Sequence, residues 1–305
     1  MAHMTDVNVI DQFEGDGWMI YNGDSAEVLQ GLPDHSIDLS VCSIPFASLY
    51  SYSSTDRDLG NSKDHEQFFV HMAFIIKEWL RVTKPGRIAA IHVADIAAMQ
   101  ERDGYQGIKD FSGQTIFAFE RAGWIFHGRC TIAKNPQASA IRTHAKGLLF
   151  KQLKKDASWL RPTLSDYMLW FRAPGDNAVA ICPDVTNEEW IAWANNVWTD
   201  IRETNTLHVA EARESDDDRH ICPLQLDVID RCIRLWSNPG EIVLSPFAGI
   251  GSEGYMALKL GRRFIGIELK PIYAKTAAKN LERALAENAM EREQDLFSQD
   301  EPDGT

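Results

Sequence analysis

The 305-residue sequence predicts an α/β fold with a mainly parallel sheet and helices on both faces. Short apolar runs alternate with amphipathic segments towards both ends of the chain, which is the pattern of βαβ units. Between positions 136 and 220 the periodicity is irregular and broken by prolines. The pattern therefore predicts one α/β domain carrying an inserted region.

The first predicted unit of the domain covers residues 18–135. Strands at 18–21 and 37–42 flank a helix over 25–32, with Ser25 as its N-cap. A helix over 64–81 leads into a buried strand at 88–93. A helix over 113–122 then precedes a strand that runs to Ile132. Residues 1–17 are predicted to be an N-terminal extension.

The second predicted unit covers residues 220–290. It contains a helix over 223–237, a strand at 241–244, a helix over 252–260, a strand at 263–267 and a terminal helix from 271 to about 292. Residues 136–219 form the predicted insert, with one tryptophan-rich helix over 188–198. We expect residues 291–305 to be an acidic, flexible tail.

Composition limits the class of protein. No apolar run reaches the roughly 18 to 20 residues that a membrane span needs, and the N-terminus lacks the pattern of a signal peptide, so we expect a cytoplasmic location. The nine histidines show no ligand spacing, and the five cysteines form no C-x-x-C pair. We therefore expect no metal and no membrane partner.

The net charge of −13 is unfavourable for nucleic-acid binding, but the charge is unevenly distributed. Basic residues concentrate in positions 134–161, where Asp156 is the single acid. This stretch could contact a phosphate backbone, or it could be a solvated basic face. Its members are Lys134, Arg142, Lys146, Lys151, Lys154, Lys155 and Arg161.

A glycine loop follows the strand at 241–244. Gly249 and Gly251 permit close approach of the backbone to a ligand, and Glu268 ends the next strand, where its carboxylate could accept hydrogen bonds from ribose hydroxyls. A lone G-x-G is often only a tight turn. Gly254 comes one position late for a dinucleotide loop. The spacing to Glu268 therefore favours a nucleoside cofactor.

A second motif, Ser43-Ile44-Pro45-Phe46, ends the strand at 37–42. By itself it could be a strand end with a proline turn and a buried Phe46. Both motifs, together with Asn22-Gly23-Asp24, Tyr273 and a segment from His220 to Leu226, resemble those of bacterial DNA amino-methyltransferases. The tetrapeptide precedes the glycine loop, which is the order of the β class.

The resemblance implies a Rossmann-like sheet of seven strands, an inserted target-recognition region and S-adenosylmethionine as cofactor. Duplex DNA is the implied substrate, and a homodimer is expected. The implied cofactor-binding residues are Asp24, Ser43, His220, Pro223, Ser245, Phe247, Ala248, Gly249, Gly251, Ser252 and Glu268. Asp24 could instead cap the following helix. Lys134 and Asn135 resemble a family segment near the target strand, although a surface turn fits them nearly as well.

The tetrapeptide is the implied catalytic motif for methylating an exocyclic base amine. Ser43 Oγ and the Ile44 carbonyl would accept hydrogen bonds from the amine, Pro45 would stiffen the turn, and Phe46 would stack on a flipped-out base. Ile44 and Ser245 depart from the family pattern, which usually has proline and aspartate there. We predict adenine N6 as the target, with cytosine N4 as the alternative. A catalytically weak DNA-binding regulator and an RNA or small-molecule methyltransferase are the other possibilities.

Overall fold

The computed structural model describes residues 9–45, 65–137, 164–208 and 222–299. In these ranges the chain forms one large mixed sheet and a separate two-stranded hairpin. The strands are β1 (Asp11–Gly15), β2 (Trp18–Asn22), β3 (Ile37–Ser43), β4 (Thr83–Ala94), β5 (Ile96–Ala98), β6 (Gly107–Lys109), β7 (Ile125–Ile132), β8 (Asp166–Arg172), β9 (Val197–Trp198), β10 (Ile242–Ser245) and β11 (Arg263–Glu268). The helices are α1 (Ser25–Gly31), α2 (His65–Val82), α3 (Gln100–Asp103), α4 (Phe111–Arg121), α5 (Asn187–Trp193), α6 (Leu226–Trp236), α7 (Ser252–Lys259) and α8 (Pro271–Gln299).

The large sheet has the order β1-β2-β11-β10-β3-β4-β8-β7-β9. Strands β2, β11, β10, β3 and β4 are mutually parallel, whereas β8 runs antiparallel to both of its neighbours. The carboxyl ends of the five parallel strands therefore share one edge of the sheet. In open α/β sheets this is the edge at which ligands bind.

The prediction of seven strands is wrong, because the sheet has nine. Strand β8 and the short β9 come from within residues 136–219, so part of the predicted insert belongs to the main sheet. β8 was missed because its mostly buried apolar run, Asp166–Arg172, lacks the alternation of a half-exposed strand. β1 was missed for the opposite reason, since most of its residues are exposed and polar.

Three local predictions also differ from the structure. Asp24, not Ser25, is the N-cap of α1, because its carboxylate accepts a hydrogen bond from the Ala26 N–H at 2.9 Å. The tryptophan-rich helix α5 ends at Trp193, and residues 197–198 form β9 instead. Helix α8 continues to Gln299 rather than ending near 292, because residues 291–299 contain no glycine or proline to end it.

Helices cover both faces of the sheet and enclose two buried clusters. One cluster joins the sheet to α2 and α4 through Phe68, Trp79 and Phe119. The other joins it to α6 and α8 through side chains such as Ile233 and Leu281. Among the described residues, no helix is both long enough and apolar enough to span a membrane.

Candidate active site

The glycine loop connects β10 to α7 at the carboxyl edge of the sheet. The Gly249 N–H donates to Glu268 Oε2 at 2.8 Å, and the Lys270 N–H donates to Glu268 Oε1 at the same distance. Each carboxylate oxygen therefore accepts a main-chain hydrogen bond. The loop and the end of β11 are thus locked together around a negative charge.

The two loop positions, 249 and 251, require glycine for different physical reasons. Gly249 has φ +51°, and a Cβ at this position would meet open space. Gly251 has φ +83°, and its Cβ would lie 2.9 Å from Leu281 Cδ1 and 3.0 Å from Ala277 Cβ. Gly249 therefore keeps the backbone open towards the site, whereas Gly251 allows α7 to pack against α8.

Buried polar side chains hold the loop in place from other elements. Asn280 on α8 donates to the Ile250 carbonyl at 2.8 Å, and the Ser25 hydroxyl donates to the Pro246 carbonyl. Asn22 donates to the carbonyls of Glu268 and Leu269 at 2.8 and 2.9 Å. These hydrogen bonds connect the glycine loop and the end of β11 to α8, α1 and β2.

Ser245 and Ser252 bracket the loop, and the hydroxyls of both are buried without a hydrogen-bond partner among the described residues. A buried hydroxyl left unpaired costs about 1–3 kcal/mol, so a polar ligand at this loop would satisfy them. Ala248 is buried and donates its N–H to the Ile267 carbonyl at 2.9 Å. Phe247 is partly buried and packs against the sheet cluster.

Ser43 is the last residue of β3, which lies directly beside β10. Ile44 is 1% exposed and Pro45 is half-buried, so the turn after Ser43 is anchored in the core. Phe46 lies outside the described residues. The Ser43 hydroxyl and the glycine loop therefore lie on neighbouring strands at the same edge of the sheet.

Three side chains extend from Ser43 into the protein. Ser43 Oγ lies 3.0 Å from His92 Nδ1, and His92 Nε2 lies 3.1 Å from Asp166 Oδ2. The second contact has the distance of an ion pair without the alignment of a hydrogen bond. Lys134 Nζ lies 2.6 Å from the same Asp166 oxygen. His92, Asp166 and Lys134 are 9%, 5% and 15% exposed at their side chains.

Two carboxyl groups near this edge have shifted pKa values. Burial alone would raise the pKa of Asp166, but attraction to His92 and to Lys134, together with a hydrogen bond from Lys134, outweighs burial and lowers it to about 2. At Glu253, burial dominates and the nearby charge of Glu268 adds to it, which raises the pKa to about 8. Asp166 is therefore ionised and Glu253 largely neutral at pH 7.

The other predicted site residues have mixed positions. Asp24 caps α1, and Pro223 is half-buried, three residues before Leu226, which packs against Ile250 of the glycine loop. The Asn135 N–H donates to Glu203 Oε1 at 3.0 Å. His220, Arg142, Lys146, Lys151, Lys154, Lys155 and Arg161 lie outside the described residues. In the described ranges, no three His, Cys, Asp or Glu side chains converge as metal ligands.

Sequence reasoning missed the residues behind Ser43. His92 is the one polar side chain in the apolar run 88–93, and that feature was the available signal. Asp166 offered a weaker signal, because it begins a strand that was itself missed. Asn22 and Asn280 carry no distinctive pattern, since their role depends on carbonyls far away in the sequence.

Fold and site together define an α/β protein in which a glycine loop and a strand-end carboxylate lie beside Ser43, at the end of the neighbouring strand. The model of the N6/N4 DNA methylase family matches residues 37–279. The chain belongs to this family of DNA methyltransferases.

Among relatives, the chain is 46% identical over 57 residues to the DNA adenine methyltransferase YhdJ of Escherichia coli, a match that covers 19% of each chain. Among solved structures, it resembles a DNA modification methylase of Thermus thermophilus complexed with S-adenosyl-L-methionine, with a TM-score of 0.66, 23% identity and coverage of 86% and 92% of the two chains. It also resembles the PvuII DNA methyltransferase (cytosine-N4-specific), with a TM-score of 0.65, 19% identity and coverage of 92% and 95%. These two likenesses concern the fold.

Proposed function

We propose that this chain transfers a methyl group from S-adenosylmethionine to the N6 amine of a flipped-out adenine in duplex DNA. The observation that carries the proposal is the placement of Ser43 at the end of β3, directly beside β10 and its glycine loop. Methyl transfer to a base amine requires an oxygen that accepts a hydrogen bond from the amine and, close to it, a site for a nucleoside cofactor. Two adjacent strands would supply both.

The residues of the loop fit S-adenosylmethionine. The Glu268 carboxylate is a hydrogen-bond acceptor of the kind that binds ribose hydroxyls, and Gly249 leaves open space at its Cα. The hydroxyls of Ser245 and Ser252, which have no partner among the described residues, offer polar contacts. When bound, this cofactor supplies an electrophilic methyl group. Residues Glu268 and Ser245 would hold it at the ends of β11 and β10.

Ser43 addresses the weak nucleophilicity of a base amine. The nitrogen lone pair is delocalised into the ring, and an oxygen that accepts an amine hydrogen bond favours its localisation on nitrogen. The Ile44 carbonyl provides a second acceptor without depending on the side chain. Because Ile44 is buried, the carbonyl is held by a fixed turn despite the missing proline.

The choice of adenine rests on likeness to relatives. The stretch shared with the adenine methyltransferase YhdJ supports it, as does the sequence pattern from Val197 towards His220. A serine in first position of the tetrapeptide favours cytosine N4, which is therefore the second candidate. Both bases present the same NH2 chemistry to Ser43.

The decisive experiment is incubation of the purified protein with tritiated S-adenosylmethionine and unmethylated genomic DNA, followed by mass spectrometry of the nucleosides. We expect N6-methyladenine, and its absence from the Ser43→Ala variant. N4-methylcytosine would replace the adenine proposal with the second candidate. Cofactor binding without any DNA methylation would indicate a regulator, or a methyltransferase that acts on RNA or a small molecule.

We also propose that the protein forms a homodimer. Helices α2 and α4 pack against each other and expose large apolar side chains, among them Val70, Phe74 and Phe117. Exposed apolar side chains on adjoining helices are a surface that a second copy could cover. Light scattering should give twice the chain mass, and Phe74→Glu should lower it. A monomer at micromolar concentration would refute this proposal.

A further inference from the structure

Behind Ser43, the side chains of His92, Asp166 and Lys134 contact one another in succession. They provide more polar groups than are needed to position one serine. We propose that His92 takes up, through Ser43, the proton that the target amine loses on methylation, and that Asp166 and Lys134 prepare His92 for it. This inference rests on the proposed function, because it needs an amine substrate at Ser43.

Asp166 determines which nitrogen of His92 carries the proton before the reaction. Its carboxylate lies 3.1 Å from Nε2, so the tautomer protonated at Nε2 is favoured by attraction between the N–H and the anion. The lone pair of Nδ1 then faces Ser43 Oγ at 3.0 Å. The Ser43 O–H donates to His92, and the lone pairs of Oγ are left to accept an amine N–H.

Lys134 gives Asp166 a positive partner. Lys134 Nζ lies 2.6 Å from Asp166 Oδ2, so its ammonium group balances the charge of the carboxylate. The imidazolium formed later lies against the same ionised carboxylate, which stabilises it.

The proton transfer balances with the methyl transfer. A bond forms between the amine nitrogen and the methyl carbon while the carbon–sulfur bond breaks, and its electron pair remains on sulfur. The nitrogen, now positive, releases one proton to Ser43 Oγ. The Ser43 hydroxyl proton passes to His92 Nδ1, and the imidazolium later releases it to solvent. No other reactant is consumed.

The burial of the relay supports this route. His92 and Asp166 are almost fully enclosed, so water does not compete for the Ser43 proton from the protein side. The β3–β4–β8 pairing fixes the spacing. Ser43 on β3 is the register partner of His92 on β4, and His92 is the register partner of Met168 on β8, two residues after Asp166. Three adjacent strands therefore hold three members of the relay in line.

The tautomer can be tested in the protein alone. Long-range proton–nitrogen NMR spectra of 15N-histidine-labelled protein should show His92 protonated at Nε2 and unprotonated at Nδ1, with the Asp166→Asn variant losing this preference. Protonation of His92 at Nδ1 in the wild type would overturn the relay. This readout does not depend on methyl transfer.

The proton uptake is tested by two substitutions of His92 with a matched control. Asn can accept the Ser43 hydrogen bond but cannot take its proton, so His92→Asn and His92→Ala should both slow single-turnover DNA methylation by about 100-fold, the lower range of general-base effects. Dissociation constants for cofactor and DNA should change less than about twofold. His71→Asn, at an exposed position on α2, should leave the rate unchanged.

The outcomes separate the relay from the proposed function. A His92→Asn rate within about threefold of the wild type would reduce His92 to a residue that only positions Ser43, and would overturn proton uptake. A wild type that methylates no DNA, while binding cofactor normally, would overturn the proposed function. The tautomer measurement still reports on the relay in that case.

Discussion

The side-chain amide of Asn22 donates to the main-chain carbonyl of Glu268 at 2.8 Å, across 246 positions of sequence. Asn22 is fully buried at the end of β2, and it also donates to the Leu269 carbonyl. The end of β11 that presents the Glu268 carboxylate is therefore fixed by a residue from the other end of the chain.

Replacing Asn22 by alanine should weaken both the fold and cofactor binding. Two partly buried carbonyls lose a side-chain donor, and the Glu268 carbonyl keeps the Gly23 N–H, so the loss of two hydrogen bonds should lower the free energy of unfolding by about 1–3 kcal/mol. Because Glu268 shifts with its strand, the dissociation constant for S-adenosylmethionine should rise as well. Urea unfolding and calorimetric titration measure the two effects. Asn177→Ala, at an exposed position, serves as control, and unchanged cofactor binding by Asn22→Ala would contradict the prediction.

The two loop glycines should separate stability from binding when each is replaced by alanine. Gly251→Ala combines a positive φ with overlap against Leu281 and Ala277, so we expect a loss of about 2–5 kcal/mol of stability. Gly249→Ala meets open space and should lose only about 1–2 kcal/mol, from its positive φ. The methyl group would be added next to the N–H that bonds Glu268, so the cofactor affinity of Gly249→Ala should fall more than that of Gly251→Ala. Equal stabilities of the two variants would argue against this assignment.

Glu253 should make the protein less stable as the pH rises. Its ordinary pKa is 4.5 and its folded pKa is raised to about 8, so between these values the folded state holds a proton that the unfolded state releases. The free energy of unfolding should fall with rising pH in this window, by at most about 1.4 kcal/mol per pH unit. Subtracting the profile of Glu253→Gln isolates this contribution. Parallel profiles for the two proteins would show that Glu253 is charged when folded.

The buried Arg87 should be highly sensitive to loss of its partner. Its guanidinium is 1% exposed and donates hydrogen bonds to both carboxylate oxygens of Glu241. Asp38 Oδ1 lies 3.7 Å from the Arg87 Nη2 atom. Glu241→Ala leaves much of this charge uncompensated and should cost about 3–5 kcal/mol. Glu291→Ala breaks the exposed pair with Lys259 and should cost less than about 1 kcal/mol. Thermal unfolding of both variants gives the comparison.

What could be predicted from sequence depended on whether the information was local. The glycine loop, Glu268 and the tetrapeptide are contiguous motifs, and each reports its chemistry through residue type and spacing. The nine-strand sheet could not be predicted in the same way, because β1 is polar and β8 is buried within a segment without clear periodicity. Asp24 and Ser25 are adjacent and either side chain can cap a helix, so residue type alone does not decide which of the two is the N-cap of α1.

The contacts behind Ser43 show a second limit. His92 and Ser43 are 49 positions apart, and they meet because β3 and β4 pair in one particular register. A shift of one residue in that register would turn His92 to the other face of the sheet. Lys134 is predicted from the sequence to bind DNA, but in the structure it pairs with Asp166. The reason is the same, because strand pairing and not residue type determines its neighbour.

The pairing of β2 with β11 also has a consequence for biosynthesis. Residues 18–22 are translated long before their parallel partner at 263–268, which is made only after the other strands of the large sheet. Contacts of such long sequence separation form slowly and late in folding. Nascent chains shorter than about residue 268 should therefore fail to retain S-adenosylmethionine, so the methyltransferase becomes able to bind its cofactor only once β11 has been synthesised.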